Sequence, residues 1–181
     1  MVIIYTLLFL LIIICSLAIG YIILFNSMQH YTTKVDQAES IIDETLRRRY
    51  DLIMSASKII DKIVKDKKNL FKEFAKLKDE NITNFDLDRK ITENMILIKQ
   101  LRNDYPELQE HKEFKSIFND LKATEEKLQA AKAYYNKNTN LLNDLIRKFP
   151  ANIIAKMHDV KIKLFFDGKD MHDDIIDDFK L

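Results

Sequence analysis

The stretch Val35-Asp36-Gln37-Ala38-Glu39-Ser40-Ile41-Ile42-Asp43-Glu44-Thr45-Leu46-Arg47-Arg48-Arg49-Tyr50-Asp51-Leu52-Ile53 decides the fold. Val35, Ala38, Ile42, Leu46 and Ile53 recur mostly at helical steps, and Ala56, Ile60 and Ile63 continue the series. That spacing sets apolar side chains along one face of a helix, with a repeat close to seven. The whole chain of 181 residues holds only two glycines, two prolines and no tryptophan. So few breakers predict a small number of long helices and argue against a sheet of many short strands. The fold class is all-α.

Beyond Ile63 the stripe weakens over Lys65-Asp66-Lys67-Lys68-Asn69 and resumes at Phe71, Phe74 and Leu77. The first full break is expected at Asn81 to Asp86, which is polar and rich in helix-capping residues. A second stripe runs through Leu87, Ile91, Met95, Ile98 and Leu101. It must end near Asp104, because Pro106 pushes Tyr105 out of the helical region. A third helix starts around Glu110, its buried side marked by Phe114, Phe118, Leu121, Leu128, Ala131, Tyr135, Leu142, Leu145 and Phe149. Pro150 stops it and suits the first turn of a shorter helix from Ala151 to about His158. The expected domain is an antiparallel up-down-up bundle of three long helices plus a short C-terminal helix.

Polar residues interrupt the stripes at Arg49, Glu125 and Asn138. Pairing Arg49 with Glu125 in the bundle core would reduce the cost of burying either charge and would fix helix register.

Upstream of the bundle, residues 2–25 carry no charge, so the rest of the chain holds all 29 Lys and Arg and all 28 Asp and Glu. As a helix this run spans about 36 Å, enough for a bilayer core of about 30 Å. Tyr5 and Tyr21 lie near its two ends, where amphipathic rings suit the membrane interface. Ala18-Ile19-Gly20 resembles a signal-peptide cleavage site. No basic segment precedes it, however, and apolar residues continue through Ile22, Ile23, Leu24 and Phe25, so the run reads as a retained anchor. Lys34 and Arg47, Arg48 and Arg49 all follow the anchor, a bias that points the large domain into the cytoplasm. The expected organisation is an anchor over 1–26, a helical bundle over 27–166 and an acidic, flexible tail over 167–181.

Net charge is +1, with six Asp and two Lys concentrated from Asp167 to Leu181. A clustered basic excess is missing, which argues against nucleic-acid binding. Cys15, the single cysteine, excludes an intramolecular disulfide, and the bulky Ile14 before it argues against lipidation.

A resemblance to the LemA family rests on three separated blocks. The first is Val35 to Asp43 followed by Leu46 to Ile53. The second is Tyr105-Pro106-Glu107-Leu108 with Phe114, Leu121, Glu125, Ala131-Lys132 and Tyr135-Asn136. The third is Phe149-Pro150-Ala151-Asn152-Ile153-Ile154-Ala155 with Phe165-Phe166. Departures are Glu39 where members typically carry tryptophan, Leu142-Asn143 in place of a second Tyr-Asn pair, and a short acidic end. The resemblance implies a membrane-anchored antiparallel helical bundle in a bacterial cytoplasmic membrane, and no established biochemical activity.

The chemistry-bearing residues form no catalytic pattern. His30, His111, His158 and His172 lack metal-ligand spacing, and Asp167-Gly168-Lys169-Asp170 lacks the ligands of a calcium loop. Glycines at Gly20 and Gly168 alone allow no phosphate loop. The run Arg47-Arg48-Arg49 has guanidinium forks suited to phosphate, yet Arg48 lies about 35 Å beyond Phe25 on a continuous helix, too far for headgroups. Structural pairing is the stronger reading of that run. Tyr135 and Asn136 suit a groove lining, but a tyrosine on an apolar stripe reads first as core. No catalytic, cofactor or metal residue is assigned. The expected function is a non-enzymatic, membrane-tethered interaction or scaffold protein, touching the bilayer through residues 2–25 and binding a protein partner. The alternative is an envelope-facing sensor domain that binds a peptide or small ligand.

Overall fold

A computed structural model describes residues 1–64, 69–79 and 82–166. The expected tail, 167–181, and His172 lie outside the described residues. Among the described residues all regular structure is helical: α1 (Val2–Ile63), α2 (Lys72–Lys76) continued by a 3₁₀ turn (Leu77–Asp79), α3 (Asn84–Asp104), α4 (Pro106–Glu110), α5 (Lys112–Arg147) and α6 (Ala151–Met157). Among the described residues, α1 is the one helix long and apolar enough to cross a membrane.

The boundaries have local causes. Thr83 caps α3, its hydroxyl accepting from the Asp86 amide at 3.1 Å and donating to the Asp86 carboxylate at 2.7 Å. Pro106 ends α3 at Asp104, where the chain expects it, and opens α4. His111 opens α5 by accepting the Phe114 amide on Nδ1 at 3.3 Å.

The first helix ends well before the expected break at Asn81, at Ile63. From Lys65 to Asn69 no residue is apolar, so a continued helix would have no stripe to bury. Asn69 adopts a left-handed φ of 70°, which asparagine tolerates. Phe71, Phe74 and Leu77 then lie on a separate short segment that folds back on α1. Tyr50 donates to the Ala75 carbonyl at 2.9 Å, and its ring stacks on Phe74 at 4.9 Å between centroids.

The chain forms two compact units, Ala38–Tyr134 and the pairing of Met1–Gln37 with Tyr135–Leu181. In the Ala38–Tyr134 unit, Ala38, Ile42, Leu46, Ile53, Ile60, Ile91, Ile98, Leu101, Phe114 and Leu121 are buried. Each large side chain there contributes roughly 1.5–3 kcal/mol. Glu44 pairs with Lys127 at 3.6 Å, and Arg49 pairs with Glu125. Asp88 pairs with Lys132, and Arg102 lies 4.5 Å from the Phe118 ring centre. Numbers rise on α1 and on α3 as they fall on α5, so both helices run opposite to α5. That order corrects the up-down-up expectation. The described segment 69–79 folds back on α1 as a returning leg, where the sequence reading expects the first helix to continue.

In the other unit, Met28, Leu142, Ile146, Ala151, Ile154 and Ala155 form one buried cluster, with Leu24, Phe25, Tyr31, Leu145 and Val160 against it. Phe149, expected in the core, is 79% exposed. Helix α5 stops at Arg147, so Phe149 falls out of register with the buried stripe, and Ile146 is buried instead.

Candidate functional site

Three successive arginines on α1, each turned about 100° from the last, meet three different surroundings. Arg49 is 1% exposed. Its Nη2 lies 2.5 Å from Glu125 Oε2, and its Nη1 donates to the Leu121 carbonyl at 3.1 Å. The pairing read from the stripes is present. Its Nε has no hydrogen-bond partner among the described residues. Asp88 and Lys132, both mostly buried, form a second ion pair close by. Together α1, α3 and α5 share one cluster of opposed charges.

Burial pulls the Arg49 guanidinium below its ordinary value, opposed by the charges of Glu125 and Asp88. An arginine so lowered still keeps its charge. Burial pushes the Glu125 carboxyl up, but the bond from Gln129 and the charges of Arg49 and Lys132 outweigh it. The carboxyl is therefore held below the usual glutamate range. A charged, buried cluster of this kind holds helices in register.

Arg47 is exposed and pairs with Asp43 at 3.0 Å. With Tyr50, Asp51, Leu77, Lys78, Ile82, Asn84 and Leu87 these two residues line a groove of about 510 Å³. Leu77, Ile82 and Leu87 are half-buried, while Arg47, Asp51 and Lys78 are exposed. The groove thus has an apolar floor and a rim of mixed charge. The sequence carried no sign of it, because the groove exists only where the returning leg meets α1. Arg48 is exposed.

In the unit that contains α6, the chain after Val160 is extended and strapped along α5. Asn143, 1% exposed, donates to the Lys163 carbonyl at 2.7 Å and accepts the Lys163 amide at 3.0 Å. Asn136 accepts the Phe166 amide at 2.9 Å, and Tyr135 donates to the Leu164 carbonyl at 3.1 Å. Lys163 also pairs with Asp36 on α1. Tyr135 is half-buried, with its hydroxyl turned to the strap. The buried Asn138 sits on the same helix.

The described histidines serve separate local roles. His30 packs beside Tyr31, His111 caps α5, and His158 Nε2 lies 2.6 Å from the Tyr21 hydroxyl. No group of three or more His, Cys, Asp or Glu suited to a metal occurs among the described residues. Cys15 is free and exposed on α1.

No curated protein and no solved structure is a match to the chain. The LemA family model matches residues 38–176, from within the first buried stripe past the strap. The match spans the arginine run, the ion cluster, the groove and the strap; the chain belongs to the LemA family.

Proposed function

We propose that the protein is a membrane-tethered, non-enzymatic interaction protein, whose groove beside Arg47 receives a peptide segment of a partner. The observation that carries the reading is the continuity of α1. One unbroken helix holds a bare apolar stretch, Val2 to Ile19, and goes on into buried packing at Met28, Val35 and Ala38. Apolar side chains so exposed have no place in water, and the length fits a bilayer core. Lys34 and the arginine run, all past the anchor, support a cytoplasmic domain. The bilayer is thus one partner, through residues 2–25, and nothing in the charge balance favours nucleic acid.

An apolar floor with a rim of both signs suits a mixed-charge peptide better than a metabolite. The groove would serve equally well outside the cytoplasm, as a sensor of envelope peptides, so the side of the membrane decides between the two readings. A photo-crosslinking residue at Asn84, with a second one at exposed Glu126 on α5 as the control, tests the groove in intact cells. The reading expects a discrete adduct from Asn84, absent from Glu126 and lost on Arg47→Glu with Lys78→Glu. Identical adducts from both positions, or an adduct indifferent to the charge reversal, would overturn it.

A further inference from the structure

Helix α6 buries one side and leaves a second apolar edge uncovered. Ala151, Ile154 and Ala155 pack against Met28, Leu142 and Ile146. Phe149, Ile153 and Met157 are 79%, 51% and 69% exposed. Ile153 and Met157 lie four residues apart on α6 and so share one face, and Phe149 sits in the turn just before the helix. Three large exposed apolar side chains gathered on and beside one short helix need a cover.

Their place in the fold identifies the cover. Helix α5 runs toward α6 and ends at Arg147, and the strap leaves again along α5 past Asn143 and Asn136. The turn at Phe149 and α6 therefore close one end of this unit. The end lies against the start of the packed part of α1: His158 bonds Tyr21 at 2.6 Å and its ring is 4.5 Å from that of Phe25. Below Tyr21, every residue from Val2 to Ile19 is exposed, a length of about 27 Å. A hydrocarbon core of about 30 Å covering that stretch ends at the level of Tyr21 and α6. Lys148 and Lys156, the neighbours of Phe149 and Met157 in the chain, are exposed, with Lys148 also paired to Asp144 at 3.4 Å. Basic residues beside an apolar edge are the chemistry of an interfacial helix.

We infer that the Phe149–Ile153–Met157 edge is a second membrane contact, seated at the boundary of headgroups and acyl chains beside the spanning part of α1, with Lys148 and Lys156 toward lipid phosphate. The inference rests on the membrane-anchor reading. The occupant is phospholipid, because the edge is continuous with the lipid-facing surface of α1 through His158, Tyr21 and Phe25.

The chain has no tryptophan, so single substitutions provide clean reporters. Phe149→Trp, Met157→Trp, Phe9→Trp and Leu164→Trp all fall at exposed positions and leave the buried cluster untouched. Leu164 sits on the strap beside Tyr135, about 18 Å along α5 from Arg147. Each full-length variant is reconstituted in phosphatidylcholine vesicles containing phosphatidylglycerol, and in matched vesicles with brominated acyl chains. The inference expects loss of tryptophan emission at Phe149→Trp and Met157→Trp as well as at Phe9→Trp, with Leu164→Trp unchanged. Loss at Phe9→Trp alone would overturn the second contact and leave the anchor standing, and the edge would then belong to a protein partner or a second copy. Equal loss at Leu164→Trp would also overturn it, since the unit would be lipid-covered without preference for this edge. No loss at Phe9→Trp would remove the anchor, and the inference with it.

Discussion

Arg49 and Glu125 form an unequal pair: the arginine side chain is 1% exposed, while the glutamate side chain, with its Oε2 2.5 Å away, is 44% exposed. Removing the glutamate strands a cation in the core. Removing the arginine leaves a carboxylate that still reaches water.

The inequality predicts an asymmetric mutant cycle. Glu125→Leu should destabilise by about 3 kcal/mol, the low end for breaking a buried pair. Arg49→Met should cost about 1–2 kcal/mol, chiefly through the lost bond to the Leu121 carbonyl. The double variant should return to within about 1 kcal/mol of the parent, since an apolar replacement of a buried pair is close to neutral. Thermal unfolding of the full-length protein in detergent measures all three. Equal single effects, or simple addition in the double variant, would contradict the account.

Acid should weaken the same junction. The Glu125 carboxyl is held below its ordinary value in the folded state. Its contribution is therefore present above the unfolded glutamate pKa of about 4.3 and is lost as pH falls through the lower folded value. Unfolding temperature should drop on acidification below that range, and Glu125→Gln should flatten the drop. An unchanged slope in Glu125→Gln would show that other carboxylates carry it.

Asn143 holds the strap by two bonds to one residue, Lys163. Asn143→Leu should cost about 1–3 kcal/mol, since the buried helix face loses both bonds and the strap backbone loses its partners. Hydrogen exchange at the Lys163 amide should accelerate sharply in the variant while amides in α3 stay protected. Retained protection at Lys163 would mean that Asn136, Tyr135 and Asp36 suffice.

Asn69 marks the reversal after α1 with its φ of 70°. Asn69→Val should destabilise by about 1–2 kcal/mol, because a branched Cβ crowds the left-handed region. Asn69→Gly should be tolerated. The same unfolding assay separates the two variants, and equal losses would place the strain elsewhere.

How much of this could be read in the residues depended on whether the cause was local. The stripes of α1 through Ile60, α3 through Leu101 and α5 through Leu142, and the stop before Pro106, follow from periodicity and backbone sterics. Arg49 with Glu125 was legible too, because a charge on an apolar stripe needs a counter-charge on a facing stripe. The reversal after Ile63 was not. Lys65 to Asn69 reads as a weak stretch of helix, and only the burial of Phe71 and Phe74 against α1 makes turning back favourable. The groove beside Arg47 and the Asp88–Lys132 pair depend on that reversal, so they were hidden with it. Phe149 was misplaced because periodicity was extended past the true end of α5, and the exposed edge at α6 was lost with that error.

The most direct test of the central claim, that α1 is at once membrane anchor and bundle helix, uses the native cysteine. Cys15 is free and exposed on the helix surface, so nothing in the described protein shields it and only lipid would. Fragmented membranes, open on both sides, are treated with a water-soluble maleimide. Cys15 should stay unlabelled until dodecyl sulfate dissolves the bilayer, while Gln29→Cys in a Cys15→Ser background should label at once. Labelling of Cys15 in intact membranes as fast as Gln29→Cys would contradict the account.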